Sequence, residues 1–127
     1  MNGNHFSLKS RLRSFRYAFK GLASLIRNEH NSRIHFFAAV TAIIAAIILN
    51  ISTLEWTVIV IVIGMVFMAE LLNSSIEAMS DSVRPEFDEG IRKAKDYAAA
   101  AVLIAALISL IAGGIIFIPG ILRFLSC

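Results

Sequence analysis

The chain has 127 residues, of which 57% are hydrophobic, and its mean hydropathy is +0.75. A soluble domain of this length seldom carries so large an apolar fraction, so the composition excludes an ordinary water-soluble protein. The formal net charge is +3, and no nucleic-acid partner is expected. We therefore expect an all-α membrane protein that forms a single domain over residues 1–127.

The first predicted element is a basic amphipathic helix over about residues 6–28. Apolar side chains recur there at spacings of four and three, which places them on one helical face: Leu8, Leu12, Phe15, Phe19, Leu22 and Ile26. The basic side chains lie largely off that face. A helix of this kind beside a membrane span is typical of the lipid interface, and packing on the protein's own helices is a compatible alternative. Its length and charge argue against a cleaved signal peptide.

Three apolar runs follow, and they predict transmembrane spans over about residues 32–50, 56–80 and 91–118. The first and third runs carry no formal charge between Arg33 and Glu55 and between Asp96 and Arg123. Each is long enough to cross a hydrocarbon core of roughly 30 Å, which takes about 20 helical residues. The second run is uncharged only from Trp56 to Ala69, which as a helix reaches about 21 Å. The second span must therefore carry the next residue, a glutamate, to or near the opposite membrane boundary.

The distribution of charge predicts the orientation of the chain. Residues 1–33 contain seven basic side chains and one acid, and residues 81–96 contain four basic and five acidic ones. The connection between the first two spans, "NISTLEW", has no basic residue. By the positive-inside rule, the N-terminus and the segment 81–96 are cytoplasmic. Pro85 marks the cytoplasmic loop, because proline does not continue a helix comfortably.

Polar side chains continue along one side of the second span. Glu77 and Asp81 lie within about 20° of Glu70 around the helix axis, and Asn73 lies about 60° to one side. We call these four residues the polar stripe. Charge placed at membrane depth is costly and usually marks a functional site.

More ionisable groups are predicted at the same membrane boundary. Glu29 precedes the first span there, and Lys95 and Asp96 begin the third. Carboxylates at a cytoplasmic surface are suitable Mg²⁺ ligands, a carboxylate near the apolar region could accept a proton from a lipid hydroxyl, and a lysine could neutralise phosphate charge. The structural alternatives are that the stripe joins helices through hydrogen bonds, and that Lys95 and Asp96 are an ordinary interfacial flank. We interpret His35 as a boundary residue rather than a ligand. The chain has no P-loop motif.

The chain also resembles a known family at these residues. "AELLNSSIEAMSD" followed by "KAKDYAAAAVL" closely resembles the signature of the small bacterial membrane diacylglycerol kinase and undecaprenol kinase family. "FKGLASLIRNEHNSRIHFFAA" is similar to the family's surface helix leading into its first span. The resemblance implies a homotrimer in the bacterial cytoplasmic membrane, with active sites between neighbouring subunits at the cytoplasmic surface. It implies transfer of the γ-phosphoryl group of MgATP to a lipid alcohol.

The resemblance also implies roles for individual residues. Glu70 would be the catalytic base and Asn73 would help to organise the site. Glu29 and Glu77 would hold the Mg²⁺ ion. The residues that would contact the nucleotide or its metal are Tyr17, Glu29, Glu77, Glu86, Lys95 and Asp96. A basic contact from the start of the surface helix would come from Arg11 or Arg13, because position 10 is serine.

The lipid substrate is predicted from two further segments. "LEWTVIVIVIGMVFMAELLN" and "GGIIFIPG" look more like undecaprenol kinases than like the diacylglycerol kinase branch, so undecaprenol is favoured and diacylglycerol is the alternative. A small oligomeric membrane transporter is the hypothesis from another class, since a membrane glutamate can couple cation binding to transport. That hypothesis predicts polar groups throughout the membrane depth, whereas here they collect on one side. A kinase fold without activity is a third possibility, although every central acid of the motif is present.

Overall fold

Four α-helices make up the protein in the computed structural model, which describes residues 7–83 and 88–126. They are α1 (Leu8–Asn28), α2 (His30–Leu49), α3 (Thr53–Val83) and α4 (Glu89–Ser126). By length and composition, α2, α3 and α4 are each able to cross a membrane. The predicted all-α architecture with three helices able to cross a membrane is therefore confirmed.

The connection between α1 and α2 is a single residue, Glu29. Its backbone is extended, with φ −104° and ψ 115°, and its N–H donates to the carbonyl of Leu25 over 2.9 Å. The Glu29 side chain makes no capping hydrogen bond to α2. The chain therefore changes direction at a half-buried carboxylate that is not used to begin the next helix.

The turn between α2 and α3 is fixed by local hydrogen bonds. Asn50 ends α2 in the left-handed region with φ 51°, a conformation that asparagine tolerates better than most residues. The Ser52 N–H donates to Glu55 Oε1 over 3.0 Å, and the Glu55 N–H donates to Ser52 Oγ over 3.2 Å. This reciprocal pair is the capping box that the Ser-x-x-Glu sequence encodes, and it begins α3.

The beginning of α4 is fixed in a similar way, and the helix is longer than the third predicted span. Asp88 Oδ1 accepts hydrogen bonds from the N–H groups of Gly90 and Ile91 over 2.9 and 3.2 Å. The helix then continues through Pro119 to Ser126, a length of 38 residues. Proline removes one backbone donor from the helix, but here this does not end it. The helix thus extends past residue 118, where the sequence places the end of the span.

The helices pack most extensively between α3 and α4, while α2 contacts both of them and α1 contacts α2 and α3. A small buried cluster of Ala46, Ile51, Ile59 and Ile116 lies beside the α2–α3 turn. Many large apolar side chains elsewhere on the three long helices are exposed, including Leu110 at 73%. A single chain therefore leaves a large apolar surface exposed on these helices.

Candidate active site at the charged ends of the helices

Glu70 on α3 is the most deeply buried acid of the polar stripe. Only 3% of the residue is exposed, although it carries a carboxyl group. His35 on α2 approaches it, with His35 Nε2 3.2 Å from Glu70 Oε1. The imidazole is not aligned as a hydrogen-bond donor, so within the described residues Oε1 has no hydrogen-bond partner. A buried carboxylate oxygen without a hydrogen-bond partner lowers the stability of the folded protein. Such a cost is typical of a residue that is kept for function.

Burial decreases along the polar stripe from Glu70 towards the end of α3. Asn73 and Glu77 are half-buried, and the Asp81 side chain is 70% exposed. Asn73 Oδ1 is inaccessible to solvent and accepts no hydrogen bond from any residue in the described part of the chain. The stripe therefore leads from a buried carboxylate to an exposed one.

The beginning of α4 contributes a lysine to the exposed end of this stripe. Lys95 Nζ donates to Asp81 Oδ1 over 2.9 Å, which ties the start of α4 to the end of α3. Glu77 is also close enough to interact electrostatically with the Lys95 ammonium group. Because an ammonium group has three donors and the side chain is 40% exposed, Lys95 keeps donors for an anionic ligand. The structure thus brings Lys95 together with two acids of the stripe.

Asp96, the neighbour of Lys95, is occupied by a different partner. Arg92 Nη1 donates to Asp96 Oδ2 over 3.2 Å, and Arg92 also pairs with Glu89. These contacts are between residues three or four apart on one exposed helix face, where such pairs contribute little to stability. The Asp96 side chain is 64% exposed and so accessible to a ligand from water.

Of the other residues implied by the resemblance, the structure describes Glu29 and Tyr17, and it shows their position along the chain but no hydrogen bond or ion pair with the polar stripe. Glu29 lies at the α1–α2 junction, and α1 packs against both α2 and α3. Tyr17 on α1 is 63% exposed and makes no hydrogen bond within the described part of the chain. Glu86 lies outside the described residues.

Glu29 and Glu77 are the two carboxylates that the resemblance implies for Mg²⁺. No group of three or more histidine, cysteine, aspartate or glutamate side chains in residues 7–83 and 88–126 is arranged to hold a metal. Glu29 and Glu77 are half-buried carboxylates, and Mg²⁺ is commonly bound by one or two carboxylates together with phosphates and water. The chemistry of these two side chains therefore fits that kind of Mg²⁺ ligand.

An apolar groove of about 570 Å³ lies between α2, α3 and α4, and His35 is part of its lining. His35 and Ser109 are the polar side chains in its lining, and the Ser109 hydroxyl donates to the carbonyl of Ala105 over 2.9 Å. The Ser109 hydroxyl keeps its acceptor capacity, and the imidazole is the groove's polar group that lies close to Glu70, with His35 Nε2 3.2 Å from Glu70 Oε1.

His35 is the residue of this site that the sequence interpretation missed. The sequence favours a residue at the membrane boundary for this position. In the structure the His35 side chain on α2 contacts the carboxylate of Glu70 on α3. The available signal is a single ionisable side chain near the start of an otherwise uncharged run. The pairing itself depends on the relative positions of α2 and α3, which that run does not specify.

The comparison with known proteins identifies the family. Residues 16–117 match the family model described as prokaryotic diacylglycerol kinase. The chain belongs to this prokaryotic diacylglycerol kinase family. The resemblance stated from the sequence motifs is thereby confirmed, and so is the assignment to lipid kinases, a class of transferases. Membership implies ATP as the phosphoryl donor and favours a kinase over a transporter.

Individual relatives in the family are similar over most of the chain. The undecaprenol kinase of Bacillus subtilis (strain 168) is 37% identical over 107 residues, which cover 84% of this chain and 87% of that protein. The diacylglycerol kinase of a Synechocystis strain is 36% identical over 113 residues, covering 88% of this chain and 65% of that protein. The diacylglycerol kinase of Escherichia coli (strain K12) is 34% identical over 95 residues, covering 75% and 78%.

Proposed function

We propose that this member of the diacylglycerol kinase family transfers the γ-phosphoryl group of MgATP to the hydroxyl group of a membrane lipid alcohol. The observation that carries the proposal is the placement of Glu70. It is a carboxylate only 3% exposed, next to an apolar groove, at the inner end of a polar stripe that reaches exposed charges. A reaction between a water-soluble donor and a lipid hydroxyl needs a site at such a boundary.

Glu70 would act as the base in this reaction. Its carboxylate accepts the proton of the lipid hydroxyl as the hydroxyl oxygen forms a bond to the γ-phosphorus. The bond between the γ-phosphorus and the bridging oxygen of ADP breaks, ADP leaves, and Glu70 later returns its proton to water. The transition state of phosphoryl transfer asks mainly for positioning and charge neutralisation, so few residues need to take part in covalent chemistry.

The remaining residues would hold the donor in place. Glu29 and Glu77 would bind the Mg²⁺ ion, and Asn73 between Glu70 and Glu77 would orient the reacting groups. When bound, Mg²⁺ neutralises phosphate charge. The residues proposed to contact the nucleotide are Tyr17, Glu86, Lys95 and Asp96. Exposure of the Lys95 and Asp96 side chains supports their assignment, because both are accessible to a ligand from water.

The same proposal includes the setting of the enzyme. The helix α1 would lie at the surface of the bacterial cytoplasmic membrane, the N-terminus would be cytoplasmic, and spans over about residues 32–50, 56–80 and 91–118 would cross the bilayer. Three copies would form a homotrimer with active sites between neighbours. The large apolar surface that one chain leaves exposed on α2, α3 and α4 supports association within lipid.

Undecaprenol is the favoured lipid, and diacylglycerol is the alternative. The undecaprenol kinase of Bacillus subtilis, at 37% identity and 87% coverage of that protein, supports the first choice together with the two segments named above. The diacylglycerol kinase of Synechocystis, at 36% identity, supports the second.

A competition experiment tests this proposal. Purified protein in bilayers receives labelled ATP, Mg²⁺ and equal amounts of undecaprenol and a diacylglycerol, and protein-free bilayers serve as the control. We expect most of the label in undecaprenyl phosphate. Label mainly in phosphatidic acid would make diacylglycerol the substrate, and no label in either lipid would refute a kinase acting on these alcohols.

A further inference from the structure

We infer that His35 is a positioning residue for the proposed base, and that it donates a hydrogen bond from Nε2–H to Oε1 of the Glu70 carboxylate during turnover. This inference rests on the proposed function of Glu70. Its basis is the distance of 3.2 Å between the two atoms, which belong to different helices, α2 and α3.

Glu70 has a buried carboxylate oxygen that lacks a hydrogen-bond donor in the part of the chain that the structure describes, and His35 is placed to supply one. Within the described residues the buried Oε1 atom has no hydrogen-bond partner, and His35 Nε2 lies within reach of it. The distance already suits a hydrogen bond, and the remaining change is a reorientation of the imidazole ring. Hydrogen bonds of catalytic groups are often poorly aligned before substrate binds and tighten in the reacting complex.

The contact with His35 would give the two oxygens of the Glu70 carboxylate different roles. His35 holds Oε1, so Oε2 is the oxygen that faces the lipid hydroxyl and takes its proton. The O–H bond of the lipid breaks as the Oε2–H bond forms, while the imidazole keeps its own proton. His35 therefore acts through Glu70 and does not itself exchange a proton with the substrate.

The position of His35 supports the same role. The imidazole is 24% exposed and lies in the lining of the apolar groove, whereas Glu70 is not part of that lining. An alcohol carried by an apolar chain in the groove would meet His35 beside the carboxylate. His35 makes no hydrogen bond or ion pair with Tyr17, Lys95 or Asp96 in the described part of the chain, so its loss should leave nucleotide binding unchanged.

The test compares His35→Leu, which removes the donor, with His35→Gln, whose side-chain amide can place a donor near the original Nε2. Phe37→Leu is the matched control, because Phe37 lies on the same helix and is 68% exposed. We expect His35→Leu to lower kcat at least about tenfold with KM for ATP within about threefold of the original. We expect His35→Gln and Phe37→Leu to keep kcat within about threefold.

The other results of this comparison of variants would overturn the inferred hydrogen bond. If His35→Leu keeps kcat, or if His35→Gln loses as much as His35→Leu, the inferred hydrogen bond is wrong. If His35→Leu does not fold, His35→Gln is compared with His35→Asn, whose shorter amide should not reach Glu70; equal kcat values for those two would overturn the inference. Absence of lipid phosphorylation by the unaltered protein would instead refute the proposed function, and this inference with it.

Discussion

At the scale of single residues, the site is defined by how differently its acids are exposed. Glu70 is buried, Glu77 is half-buried and Asp81 is exposed, although all three lie near one face of α3. A proton acceptor for a lipid belongs in the apolar region, whereas a ligand for a nucleotide-bound metal must be accessible from water. The gradient of burial therefore supports different roles for residues of the same chemical type.

The proposed role of Glu77 gives a prediction about Mg²⁺. Glu77→Gln keeps the shape of the side chain but removes a charged oxygen ligand. We expect the Mg²⁺ concentration for half-maximal activity to rise about tenfold or more, because Mg²⁺ prefers carboxylate oxygens. The measurement is a Mg²⁺ titration of lipid phosphorylation at saturating ATP.

The matched control for that titration is Glu55→Gln on the same helix. Glu55 belongs to the capping box at the opposite end of α3, and glutamine can replace glutamate in such a box. Its Mg²⁺ dependence should be unchanged. An unchanged Mg²⁺ requirement in Glu77→Gln as well would count against Glu77 as a ligand.

At the scale of the helices, α4 approaches the end of α2 closely at a glycine, Gly120. A β-carbon on Gly120 would lie 3.3 Å from Leu49 Cδ1, whereas one on Gly113 would lie 3.8 Å from Phe117 Cδ2 on its own helix. The first distance is tight and the second is ordinary van der Waals contact. Gly120 therefore allows the end of α2 to pack against α4.

This difference predicts the effect of alanine at the two glycines. Both substitutions gain about 0.5–1 kcal/mol from the better helix propensity of alanine, so their difference isolates the packing against Leu49. We expect Gly113→Ala to be more stable than Gly120→Ala by about 1 kcal/mol, measured by thermal unfolding in detergent. Equal stability of the two variants would show that Leu49 moves aside without cost.

At the scale of the whole molecule, the apolar side chains are exposed along the long helices, and the charged groups near Glu70 collect at one end of the bundle. Both features are typical of a membrane protein. The exposed side chains include Val60, Leu103 and Leu110, and each of them lies on a helix able to cross a membrane. The acids and bases near Glu70 lie at the opposite end of the bundle from the α2–α3 turn. This arrangement gives the molecule a charged end and an apolar body.

The proposed orientation can be tested with the single cysteine of the sequence, Cys127. With a cytoplasmic N-terminus and three crossings, the C-terminus is external, so a membrane-impermeant maleimide should label Cys127 in intact spheroplasts. The control variant combines Cys127→Ser with Ser10→Cys and should be labelled only after the membrane is permeabilised. The opposite pattern would reverse the orientation derived from the basic residues.

The sequence predicted the number and type of the helices because each signal was local. The long uncharged runs after Arg33 and after Asp96 are visible without any knowledge of packing. The helical spacing of Glu70 and Glu77 is local in the same sense. The structure adds the differences in burial along that spacing.

Contacts between helices were not predicted, and His35 is the clearest example. The chain runs from His35 to the end of α2 at Leu49, and from the start of α3 at Thr53 to Glu70. At about 1.5 Å per residue, the two side chains are about 21 and 26 Å from the turn, so a count from the turn places them at similar depth. Which faces of the two helices meet is decided by packing, as it is for the contact of Lys95 with the end of α3.

Lipid phosphorylation by Glu70→Gln tests the proposed role of Glu70 most directly. The purified protein in bilayers that contain undecaprenol receives labelled ATP and Mg²⁺, beside the unaltered protein and Glu55→Gln. We predict that Glu70→Gln transfers label at least about a hundredfold more slowly, while its melting temperature does not fall, its oligomer size is unchanged and Glu55→Gln remains active. Phosphorylation by Glu70→Gln within about tenfold of the unaltered protein would contradict the assignment of Glu70 as the base.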